Sequence, residues 1–203
     1  MSAEERADAA ALDDHELVRN CQRGDRAAFD ELMLRHQARI FNAACRLLGD
    51  IDEAEEVAQD TFVRAYRGIG GFRFQSSFFT WLYRILLNLA ANRRKARARQ
   101  RRIRVDSLDR MAEGDDGWAP REPADRTCDP EQELERRELA QQIEQCLAEL
   151  SHDHAAVVVM RDVQGMSYEE IAGVLECSVG TVKSRLHRAR AELRKLMSRY
   201  GEW

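Results

Sequence analysis

Apolar positions recur at spacings of three and four along most of this chain, the period of a helix with one buried face. Asp13 or Asp14 stands ready to cap a first segment that ends at Gly24, and Asp25 caps the next. In that second segment Ala28, Phe29, Leu32 and Met33 are followed by Ile40, Phe41, Ala44, Leu47 and Leu48, up to Gly49. The run DIDEAEEVAQDTFVRAYRGIGG keeps Ala54, Val57, Ala58, Thr61 and Ala65 on one side and is stopped by Gly68, Gly70 and Gly71. A loop then leads into FFTWLYRILLNLAANRRK, where Phe78, Trp81, Leu82 and Ile85 predict an inner face.

From about Ala96 the periodicity is lost, and it returns at Glu131 with Leu139, Ile143, Cys146, Leu147 and Leu150. The stretch between is first basic (Arg93 to Arg104) and then acidic (Asp106 to Asp129), and it ends at the last of the three prolines, Pro120, Pro123 and Pro130. Charge blocks with few apolar residues cannot build a core, so this stretch reads as a linker. Only fourteen of the 203 residues are glycine or proline, too few for a many-turned β protein. The pattern predicts an all-α chain of two small helical domains joined by a flexible charged linker. The expected boundaries are a disordered tail over 1–12, a first domain over 13–95, a linker over 96–130 and a second domain over 131–203. Three consecutive valines in AAVVVM favour strand locally. Ser151 as a cap and Gly165 as a stop predict helix there instead.

The segment MSYEEIAGVLECSVGTVKSRLHRARAELRKLM carries the most information. Ser167 followed three residues on by Glu170 is a capping box, so a helix starts at Tyr168, with Ile171, Ala172 and Leu175 inward. Glu176 and Cys177 form a turn and Ser178 caps a second helix. Its apolar seam is Val179, Val182, Leu186, Ala189, Leu193 and Leu196. The opposite face holds Thr181, Lys183, Ser184, Arg185, His187, Arg188 and Arg190: cations for phosphates and small donors for base edges. This is the pattern of a helix-turn-helix whose second helix enters a major groove.

With 32 basic and 36 acidic residues the formal charge is −4, which by itself disfavours nucleic acid. That average conceals an acidic helix start at Asp52, Glu53, Glu55 and Glu56 and a basic face at Lys183 to Arg190. Five widely spaced cysteines without a CxxC pair suit a reducing cytoplasm and match no zinc spacing. The first residues lack a signal-peptide pattern, and the longest apolar run is far shorter than the ~20 residues that cross a bilayer. We therefore expect a cytoplasmic protein without membrane insertion. Cys146, His152 and His154 match no standard metal site, and no phosphate loop, HExxH or GxSxG motif occurs, so neither cofactor nor catalysis is expected.

SYEEIAGVLECSVGTVKSRLHRAR is similar to the promoter-reading domain of extracytoplasmic function (ECF) sigma factors. DEAEEVAQDTFVRAYRGIGGFRFQSSFFTWLYRILLNLAANRRK is similar to their N-terminal domain. The resemblance covers most of the chain and implies a dissociable, non-catalytic subunit of bacterial RNA polymerase that directs initiation at promoters. It implies that Asp52, Glu55, Glu56, Gln59, Asp60 and Phe62 dock on the polymerase clamp coiled coil, with the flap as a further polymerase contact. It places the melted −10 element on Phe72, Ile85, Asn88 and the loop Arg73, Phe74, Gln75, Ser76 and Ser77, with Asn92 and Arg93 beyond. Family members commonly carry Gly and an acid where this chain has Phe74 and Gln75. Lys183, Ser184, His187 and Arg188 are implied to read the −35 element, while Thr181, Arg185 and Arg190 complete that face; Arg185 and Arg190 suit phosphates. The implied partners are core RNA polymerase, promoter DNA and an anti-sigma factor. Two other classes stay open on the residues alone. An independent helix-turn-helix regulator would need neither the aromatic loop nor the acidic helix. An anti-sigma-like adaptor would leave the basic face unexplained.

Overall fold

A computed structural model describes residues 13–106 and 130–200. The expected tail over 1–12, residues 107–129 of the expected linker (with Trp118 and Cys128) and Trp203 lie outside the described residues, within which every regular element is helical. Helix α1 spans Asp14–Gln22, α2 Arg26–Leu48, α3 Ile51–Gly68 and α4 Phe78–Asp106, with a 3-10 turn at Ile69–Gly71. The C-terminal part holds α5 (Pro130–Glu149), α6 (His152–Val158), α7 (Tyr168–Leu175) and α8 (Val179–Met197).

Local chemistry sets most of these boundaries. The Asp13 carboxylate accepts from Glu16 N at 2.7 Å, Asp25 from Ala27 N at 3.0 Å, and Asp50 from Glu53 N at 3.0 Å. Each such cap contributes about 1 kcal/mol. Gly49 closes α2 with φ +67°, and a Cβ there would meet the Cβ of Ala148 at 3.1 Å, so both conformation and space require glycine.

Three departures from the sequence expectation stand out. Helix α4 does not end at Lys95 but continues to Asp106. Between Phe78 and Asp106 there is neither Gly nor Pro, and Ala, Arg and Gln propagate a helix already nucleated by packing. The basic end of the expected linker is thus helical, and α5 likewise begins one residue early, at Pro130, where the missing N–H costs nothing. The second departure is Ile143, 37% exposed because the buried side of α5 is that of Cys146 and Leu147, continued by Leu150 just beyond the helix. The third is that Val174, not Leu175, is the deeper residue of α7.

Helices α2, α3 and α4 pack around Leu32, Ile40, Leu47, Val57, Phe78, Leu82 and Leu86, and α1 adds Leu17 and Val18. The valine run is helical as expected, because burial of Val157, Val158 and Val159 outweighs their strand propensity. It widens into one π turn at Val159–Val163 before Gly165 (φ +68°) ends it.

The two helical units lie against each other, α5 and α6 on α2, and α7 on α4. Three arginines join them. Arg94 on α4 donates to Leu47 O and Ala148 O, each at 3.3 Å, and to Leu150 O at 2.7 Å, serving the carbonyl ends of α2 and α5 together. Burial holds its pKa below the ordinary arginine value. Arg39 lies 3.7 Å from the Phe79 ring centroid and donates to Gln164 Oε1 at 3.2 Å. Arg84 donates to Gly173 O at 2.5 Å and pairs with Glu176 at 3.1 Å.

Candidate nucleic-acid interface

The capping box at the start of α7 is complete: Ser167 Oγ accepts from Glu170 N at 3.1 Å, and Glu170 Oε2 accepts from Ser167 N at 2.8 Å. Glu176 takes a left-handed turn (φ 52°), and Ser178 Oγ accepts from Thr181 N at 3.1 Å to start α8. Val182, Leu186 and Ala189 bury the seam of α8. Lys183, Ser184, His187 and Arg188 are exposed, and Thr181 and Arg185 are half-buried beside them. The structure thus brings the expected reading residues onto one face. Lys183 Nζ lies 5.4 Å from the Tyr168 ring centroid, a cation–π contact that orients it from α7. Arg190 is exposed too, but its guanidinium holds Asp162 through Nε at 3.0 Å and a second, shorter bond. That hydrogen bond raises its pKa and turns it toward the π segment.

In the N-terminal unit, Ile85, Asn88 and Asn92 follow one another at i, i+3 and i+7 on α4, Ile85 half-buried and both asparagines exposed. Arg84, which holds α7, is within one turn of Asn88. The expected Arg93 belongs to another face, paired with Glu56 and lying 4.0 Å from Glu53 of α3. In the loop, Ser77 Oγ accepts from Thr80 N at 3.1 Å and caps α4. Arg73, Gln75 and Ser77 are exposed, Ser76 is half-buried, and Phe72 is only 7% exposed.

On α3 the residues Asp52, Glu55, Glu56 and Gln59 share one exposed stripe, and Asp60 flanks it. Phe62 is not on it: at 8% exposure it belongs to the core. The stripe continues through Val63 and Tyr66, both 45% exposed, which sequence reasoning missed. Their signal was available, since both fall in phase with Asp52 and out of phase with the buried alanines.

Comparison with known proteins follows this division of the chain. Residues 32–100 match the family model for sigma-70 region 2, and residues 140–193 match the one for sigma-70 region 4. The RNA polymerase sigma-H factor of Pseudomonas aeruginosa is 39% identical over 184 residues, 91% of this chain and 93% of that one. The ECF RNA polymerase sigma-E factor of Haemophilus influenzae is 37% identical over 182 residues, 90% and 94% of the two chains. The chain belongs to the sigma-70 family, as an ECF sigma factor. It is therefore a non-catalytic specificity subunit of RNA polymerase that directs promoter-specific transcription. Among solved structures, the sigma factor RpoE of Bartonella quintana, in complex with the anti-sigma factor NepR, superimposes with a TM-score of 0.63 at 26% identity. That match covers 84% of this sigma factor and 96% of the other chain. Among the described residues no helix is long and apolar enough to cross a membrane.

Proposed function

We propose that this sigma factor reads the −35 element with α8, captures melted −10 DNA with the loop 72–77 and α4, and docks on the polymerase clamp through α3. The observation that carries the reading is the exposed, four-residue donor face Lys183, Ser184, His187 and Arg188 on a fully capped helix-turn-helix. Residues 13–95 then act as region 2, and 131–203 as region 4, which also touches the polymerase flap. The basic stretch Arg93 to Arg104 meets duplex phosphates at the edge of the −10 element. The location is the cytoplasm, where polymerase and chromosome are.

Two elements named −35 and −10 are about 25 base pairs apart, roughly 85 Å of B-form duplex. Helices α4 and α7 in contact cannot serve both ends of such a span. The units therefore separate on polymerase, and Arg39, Arg84 and Arg94 are the contacts released. An anti-sigma protein is the expected inhibitor, since the Bartonella relative is found in complex with the anti-sigma factor NepR, and one that binds the closed arrangement would keep the two units together.

In vitro transcription with purified bacterial core polymerase tests the proposal. Initiation from a promoter selected on the holoenzyme should require this protein, and initiation that never depends on it would overturn the reading.

A further inference from the structure

The −10 reading assigns base capture to an aromatic loop, but Phe72 has little ring surface to offer. Its ring is packed against Phe74 (5.0 Å between centroids), Trp81 (5.3 Å) and Phe78 (6.4 Å). Phe74 is different. It is half-buried, packed on one side against the core, and its φ of +57° lies in the left-handed region that favours glycine. The chain therefore carries backbone strain to display this ring. Phe72 packs against it at a steep interplanar angle of 69°, His15 of α1 lies 5.4 Å from it, and the Arg19 guanidinium stands 5.6 Å from its centroid. His15 and Arg19 are both exposed, one turn apart on α1. The next turn of that helix holds the loop in place: Gln22 Nε2 donates to Ile69 O at 3.0 Å and to Phe72 O at 2.9 Å.

We propose that Phe74 is the stacking platform of the −10 loop and that Arg19 of α1 is its phosphate contact, an extension that rests on the −10 reading above. An aromatic face covered by an exposed guanidinium suits one unpaired nucleotide of melted promoter DNA. The base lies on Phe74 in place of Arg19, and the displaced guanidinium meets the phosphate of the same strand. Because every base has a π face, this contact adds affinity for melted DNA with little base preference. Helix α1 thereby becomes part of the melting machinery.

The test uses holoenzyme built from the full chain and core polymerase. The probe is a promoter fragment selected on that holoenzyme, carrying a permanent mismatch bubble with 2-aminopurine at each unpaired position in turn. One position should be quenched by wild type. Phe74→Gly and Phe74→Leu should lose that quenching and bind the bubble about 5- to 150-fold more weakly, the range of one base–aromatic stack. Phe74→Trp should retain both. Phe74→Gly relaxes the backbone, so its loss cannot be ascribed to misfolding, and its −35 duplex binding should be unchanged. Arg19→Ala should lower the salt dependence of bubble binding by about one phosphate contact. Unchanged quenching and affinity in Phe74→Gly, or an equal loss in Phe74→Trp, would overturn the proposal while leaving the −10 reading intact. A wild-type holoenzyme that bound the bubble no better than core alone would bring down both.

Discussion

Arg94 is the residue whose removal should most directly loosen the two helical units. Its guanidinium reaches three carbonyls at two helix ends, one at 2.7 Å and two at 3.3 Å. A hydrogen bond to a charged group contributes about 1.5–3 kcal/mol, less when long. Burial of the guanidinium, visible in its lowered pKa, offsets part of that gain. Substitution Arg94→Met keeps the apolar stem and deletes the charge, so the net loss should be about 2 kcal/mol. The carbonyls of Leu47, Ala148 and Leu150 are rehydrated once the units part, so the loss falls on the closed arrangement rather than on either unit alone. At 1.4 kcal/mol per factor of ten, the open-to-closed ratio should rise about thirtyfold. Small-angle scattering should record a larger radius of gyration for Arg94→Met, and the far-UV spectrum should be unchanged. Arg199→Met is the control, because its pairing with Glu149 at 2.7 Å stays within the C-terminal unit. An Arg94→Met protein with wild-type scattering, or an Arg199→Met protein equally expanded, would refute this account of what holds the units together.

Three further outcomes are expected. Burial pushes the carboxyl of Glu144 from 4.5 up to about 7 against the pull of Arg46. The folded state then binds this proton more tightly than the unfolded chain, so stability is lost as pH rises from about 4.5 through 7. After discounting for partial exposure, Glu144→Gln should be about 1–2 kcal/mol more stable than wild type at pH 8 and no different at pH 4. Thermal melts at both values check this, and a gain independent of pH would count against it. Lys183→Ala combined with Arg188→Ala should cost about 1–3 kcal/mol per lost base contact in gel-shift titrations of selected −35 duplex. Core-polymerase affinity should stay the same, and its loss would argue against the division of roles between α8 and α3. Val63→Asp, at an exposed site on the α3 stripe, should weaken core binding at least about tenfold in anisotropy titrations. Wild-type affinity there would remove Val63 and its neighbour Tyr66 from the docking surface.

The elements were legible where their signals are local. Asp13, Asp25, Ser151, Ser167 and Ser178 each hold a backbone N–H within three residues, and a six-residue window contains the whole interaction. The basic face of α8 was legible for the same reason, since helical spacing and composition define it together. The family resemblance then placed two such patterns in order along one chain. The end of α4 is not legible in the same way, because the apolar period stops near Lys95 while arginine and alanine propagate the helix to Asp106 without a core to cover.

What the sequence by itself determined is the set of helices, their caps, and the faces that carry charge or apolar surface. What only the tertiary structure decided is which charged groups are free. Arg190 is bound to Asp162, 28 positions away, and Arg93 to Glu56, 37 positions away. Phe62 and Phe72 are spent on the core, while Val63 and Tyr66 are left at the surface and Phe74 is only partly covered. The physical reason is range: a cap or an apolar period is closed within a turn or two of helix. An ion pair or a ring contact between helices depends on crossing geometry that no local window contains.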